Sequence, residues 1–161
     1  MDPLTQLGLL ATIAATYSGF IAVFIAFTKD GRFEVTDAHF VQAMVLGTIG
    51  VIVMSLTPPV LVLLMPAERM WFFVTAFAIV GGVPSMVYQA WQQAMMPADE
   101  RRKIPGGWHL PGWGLGVAAL AAFIAGLMYP HFRSGLYVAG VTFMLATAIW
   151  CFIAVVFRRF F

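Results

Sequence analysis

Five long apolar runs, at about 4–27, 38–64, 70–94, 111–129 and 134–157, alternate with short polar segments along the chain. Each is close to or above the roughly 20 residues that a helix needs to cross a bilayer core. The pattern predicts an all-α, polytopic transmembrane bundle of five spans in a single domain, 1–161. A four-span reading, with one segment merged or dropped, is the alternative, and the fourth run has the least distinct boundaries.

The punctuation agrees with helices. Asp2 stands as an N-cap and Pro3 at the first helical position, where its missing N–H costs nothing. Thr36-Asp37 is a second capping pair. Pro58-Pro59 frees carbonyls one turn earlier and predicts a bend or break in the last third of the second span. Gly81-Gly82 and Pro84 predict a kink in the third. Pro130-His131-Phe132-Arg133 is short enough to make the last two helices antiparallel neighbours. The first run lacks a basic n-region and is too long for a signal-peptide core, so it reads as a retained span.

Composition sharpens this. Of 161 residues 61% are hydrophobic and 10% charged, against about 25% charged in soluble domains, and the mean hydropathy is +0.90. The nine basic residues do not form the surface patch of a nucleic-acid binder. They fall into loops, where they set orientation. Lys29, Arg32, Arg101, Arg102, Lys103, Arg158 and Arg159 share one side, Arg69 and Arg133 the other. The bias puts the N-terminus outside and the C-terminus in the cytoplasm, with cytoplasmic loops at about 28–37 and 95–110. Arg101, Arg102, Lys103 and Trp108 read as interface anchors, the basic ones resting on anionic lipid. Trp71, Trp91, Trp113 and Phe132 read as further aromatic anchors, and Trp150 as core.

Candidate chemistry is sparse. No ionisable residue falls in the middle of a span, which lowers the expectation of an active transporter. Nucleophile, zinc and phosphate-loop motifs are missing, so no catalytic and no metal residue is assigned. Cys151 is the single cysteine, which allows no internal disulfide. His39 and His109 fall near one interface and His131 on the other. Two imidazoles could hold a haem iron or a pigment magnesium, yet no ligand spacing supports it and interfacial histidines are the preferred reading. No cofactor is assigned; bound lipid is expected, and haem or pigment stays open. Gln42, Gln89, Gln92 and Gln93, with Tyr88, form a polar cluster that could line a vestibule or bind a headgroup; hydrogen bonding between helices is preferred.

The strongest positive signal is for packing. Gly114, Ala118, Ala122 and Gly126 recur along one face of the fourth span, Gly8, Thr12, Ala15 and Gly19 along the first, and Ala43, Gly47 and Gly50 along the second. Small residues let backbones approach closely. Packing within the chain accounts for these stripes, and any surplus face must meet lipid, another copy or a different subunit.

The segment Thr16-Tyr17-Ser18-Gly19-Phe20-Ile21-Ala22, the Thr36-Asp37-Ala38 helix start, the basic Arg101-Arg102-Lys103 and the pattern Leu136-Tyr137-Val138-Ala139-Gly140 resemble uncharacterised small multi-pass proteins of bacterial inner membranes. The resemblance implies the topology and a bacterial setting, and brings no site residues. The expectation is a non-enzymatic membrane protein acting through helix–helix association, as an accessory subunit or a homo-oligomer. A small channel or transporter lined by Tyr17, Ser18, Ser55, Thr57, Gln89 and Gln92 is the alternative, and a lipid-active enzyme using Asp37, His39, Asp99, Glu100 or His109 a more distant one.

Overall fold

A computed structural model describes residues 2–27, 35–99, 107 and 109–160. Five long helices carry the fold: α1 (Pro3–Phe27), α2 (Val35–Leu61), α3 (Ala67–Met95), α4 (His109–Met128) and α5 (Arg133–Phe160). A single 3-10 turn, Pro130–Phe132, joins the last two. All five are long and apolar enough to cross a membrane, which settles the choice between four and five spans. No strand occurs among the described residues.

The helix starts follow local chemistry. Asp2 Oδ2 accepts from the backbone N–H groups of Leu4 and Thr5 at 3.1 and 3.2 Å, so the first helix is capped as its sequence requires. α2 begins at Val35, ahead of the expected cap, which places Asp37 in the first turn, where the positive end of the helix favours a carboxylate.

Of the bend or break expected at Pro58-Pro59, a break does not occur. α2 runs through Pro58 and Pro59 without a break and stops at Leu61, short of the Leu64 end read from the sequence. The chain then tightens, Leu64 N–H donating to Leu61 O at 2.9 Å and Met65 N–H to the same carbonyl at 3.0 Å. Helical assignment is likewise continuous past Gly81-Gly82 and Pro84 in α3.

Two carbonyls freed by proline find side-chain donors instead. Pro58 cannot donate to Met54 O, and the Tyr137 hydroxyl donates to it at 2.8 Å from α5. Pro130 cannot donate to Gly126 O, and the Arg133 Nε–H does so at 3.0 Å, its guanidinium also lying over the Phe72 ring at 5.5 Å. Arg133, counted above only as a loop charge, is in fact buried and caps the end of α4.

α5 touches every other helix and packs most extensively on α4 and α2. Phe123 lies against Gly140, where a Cβ would stand 2.7 Å from its Cζ, so the α4–α5 contact needs glycine there. Leu7, Val51, Met70, Val74, Tyr137 and Val141 form one core cluster, and Ile21, Phe40, Met44, Cys151 and Val155 a second. α1 is peripheral, meeting α2 and α5 alone among the described helices.

Candidate functional site

The start of α2, the end of α3 and the start of α4 lie on one side of the bundle, and their polar residues meet. His39, one turn into α2, is buried. With its proton on Nδ1 it donates to Gln92 Oε1 at 3.1 Å, and its Nε2 accepts from Gln93 Nε2 at 3.2 Å. Gln93 Oε1 in turn accepts from the indole N–H of Trp113 at 2.9 Å. The Gln92 amide donates to Tyr88 Oη at 2.6 Å and, more weakly, to Gln42 Oε1 at 3.4 Å. Each group supplies the complement its neighbour needs, so the chain from Trp113 to Gln42 is satisfied by a neutral imidazole. It stitches α2, α3 and α4 together, and His109 stacks on Phe40 beside it at 5.7 Å and 12°.

Beneath this cluster a cleft of about 410 Å³ runs between α2, α3, α4 and α5. His39, Gln89, Gln93, His109 and Trp113 line its polar end; Val53, Met54, Phe77 and Phe123 line the other. The fourteen residue steps from His39 to Val53 along α2 give it a length of roughly 20 Å at the helical rise. Its α2 and α3 rims carry Leu46, Ile49, Val53 and Phe77, all exposed, so the cleft is open sideways toward the lipid. Among the described residues no lysine, arginine or carboxylate lines it. Two neutral groups on its wall, Ser85 and Gln89 one turn apart on α3, have no hydrogen-bond partner among the described residues, and Nδ1 of His109, a residue that also lines the cleft, is buried and unpaired. Several threonine hydroxyls elsewhere in the spans, Thr48, Thr75 and Thr142 among them, bond back to their own helices, whereas that of the buried Ser55 has no partner.

The expected polar cluster of Gln42, Gln89, Gln92 and Gln93 is thus brought together, with Gln89 turned out of the network and onto the cleft wall. Sequence reasoning missed the pairing of His39 with Gln92 and Gln93, contacts across more than fifty positions that no local spacing announces. Of the six residues proposed for a transport pathway, Gln89 alone lines the cleft. Tyr17 donates instead to Ala148 O at 2.9 Å between α1 and α5, Ser18 and Thr57 bond to their own helices, and Ser55 is fully buried.

The small-residue stripes divide. Gly126 is packed, a Cβ there meeting Thr75 Cγ2 at 3.4 Å, as is Gly47 against Ala148 at 3.4 Å; Ala122 is buried and Ala118 half-buried. Packing within the chain does not account for the others: a Cβ at Gly8, Gly19 or Gly114 would meet nothing within 4 Å. Trp71 is also no simple anchor, since it is half-buried against the Tyr137 ring at 5.7 Å. Trp150 lines the cleft. Glu100, Arg101, Arg102, Lys103 and Trp108 lie outside the described residues. Among the described residues no group of three metal-ligating side chains comes together.

Fold and site define a multi-pass α-helical membrane protein whose interior polar cluster caps a lipid-facing cleft. No protein-family model, curated protein or solved structure matches the chain.

Proposed function

We propose that this is a non-enzymatic multi-pass protein of a bacterial inner membrane, N-terminus out and C-terminus in, that works by lateral association of α1 with another transmembrane helix. That helix belongs either to a second copy or to the complex in which the chain is an accessory subunit. One observation carries the reading. Gly8, Thr12, Ala15, Gly19, Ala22 and Ala26 are all exposed and are spaced 4, 3, 4, 3 and 4 residues apart. This is the heptad seam of a left-handed helix pair, and small side chains along it permit the close backbone approach on which association in lipid depends.

A ridge of Leu9, Ile13, Thr16, Phe20 and Val23 runs beside the seam in the same spacing, all exposed. Groove and ridge side by side are what a partner helix interdigitates with. The hydroxyls of Thr12 and Thr16 bond to Gly8 O and Thr12 O at 3.0 and 2.9 Å, so the seam brings no unpaired donor into the contact. α1 reaches the rest of the bundle through an adjoining face, Leu7, Ala11, Ala14 and Ile21, about a quarter-turn round the helix from the seam and opposite the ridge. The paired substitution Gly8→Leu with Gly19→Leu tests the proposal, because a Cβ at either position meets nothing within 4 Å. The assembled particle in mild detergent falls to the monomer while each chain stays folded; an unchanged particle size contradicts the proposal.

A further inference from the structure

We propose that the cleft between α2, α3, α4 and α5 is a binding site for an uncharged lipid, one with a hydroxyl or carbonyl head on an apolar tail. Its volume of about 410 Å³ lies in the range of small-molecule sites, and such sites combine an apolar lining with a few convergent polar groups. This cleft has that division along its length. Ser85, Gln89 and His109 Nδ1 stand uncommitted toward one end, and Val53, Phe77 and Phe123 form the other.

A neutral head fits best, because among the described residues no lysine, arginine or carboxylate lines the cleft to balance a charge, and an unpaired charge at membrane depth is costly. It must carry oxygen, because a serine hydroxyl, a primary amide and an imidazole together offer donors to a carbonyl and an acceptor to a hydroxyl. The neighbouring His39, Gln93 and Trp113 are spent on one another, which leaves Ser85 and Gln89 to do the recognition beside His109. Entry is sideways from the bilayer, past the exposed Leu46, Ile49 and Val53 on one rim and Phe77 on the other. A prenyl quinone and a long-chain alcohol both carry this chemistry.

Gly81 and Gly82 provide the test. Both line the cleft, and a Cβ on either meets nothing within 4 Å, so a larger side chain can begin there without a backbone clash. Gly135, equally open and away from the cleft, supplies the control. The purified full-length protein in nanodiscs is offered a short-tailed prenyl quinone, a long-chain alcohol and phosphatidylglycerol, with retained ligand measured by native mass spectrometry. At least one of the two neutral probes is retained at one per chain by the wild type and by Gly135→Leu, which of them identifies the source, and Gly82→Leu abolishes the retention. Gln89→Leu weakens it about tenfold, the loss of one buried hydrogen bond. Saturable retention of phosphatidylglycerol in competition with the neutral probes would overturn the proposal, as would wild-type retention by Gly82→Leu or no retention of either neutral probe by the wild type. None of these readings depends on the assembly state of α1.

Discussion

The hydroxyl of Tyr137 donates at 2.8 Å to the carbonyl of Met54, the acceptor that Pro58 leaves without its helical donor. Both partners are buried, and no water is at hand in a bilayer to take over the role. The bond explains how α2 stays helical through a double proline, and it pins α5 to α2 at that level.

Tyr137→Phe therefore removes a donor that a buried carbonyl needs. The expected cost is about 1 kcal/mol, in keeping with interhelical hydrogen bonds in membranes. In a Pro58→Ala background the backbone N–H returns, so the same substitution costs less. Denaturant unfolding of the two singles and the double in detergent measures the difference; equal costs in both backgrounds would show that the hydroxyl has no such duty.

Arg133 performs the parallel service for Gly126 O at the end of α4. Arg133→Gln is expected to destabilise the bundle by about 1–2 kcal/mol through the lost charge-assisted bond. Arg133→Lys keeps the charge without the guanidinium Nε donor and recovers only part of it. Full recovery in the unfolding midpoint by lysine would mean that the charge alone matters.

The Phe123–Gly140 contact carries a steric prediction. Gly140→Ala places a methyl within van der Waals radii of the ring and costs about 1–3 kcal/mol by overpacking. Phe123→Leu shortens the opposing side chain and relieves the clash, so the double variant is more stable than Gly140→Ala alone. Thermal unfolding of the four proteins reads this directly.

Gln93→Leu breaks the polar relay at its centre, leaving the Trp113 indole without its acceptor and His39 Nε2 without its donor. The polar end of the α2–α3–α4 group loosens, with a red-shifted Trp113 emission in a variant that keeps this tryptophan as its only one. An unshifted spectrum with unchanged stability would show that the relay is dispensable.

The spans were legible because runs of more than twenty apolar residues and an Asp2-Pro3 start have no competing explanation. The inward and outward faces were not. Lipid tails are as apolar as a core, so Gly126, which packs on Thr75 and Leu136, and Gly8, which packs on nothing, look alike in a one-dimensional pattern. Gly140 was invisible for the opposite reason, since its need arises from a ring on another helix. The polar cluster was legible by its glutamines, while its central histidine required knowledge of which helices meet. The cleft had no sequence signal, being the space that Gly81, Gly82 and their neighbours leave empty.

The central claim is that α1 meets another helix through its outward seam. A photo-crosslinking residue is placed in turn at each position from Leu4 to Ala26 in the intact protein, and adducts are read in native membranes. The account predicts adducts that peak at positions 8, 12, 15, 19 and 22 and their ridge neighbours, and fall away at Leu7, Ala11, Ala14 and Ile21. Their mass tells a second copy from a different subunit. A scan with no periodicity, or with lipid adducts alone along the seam, would contradict the account.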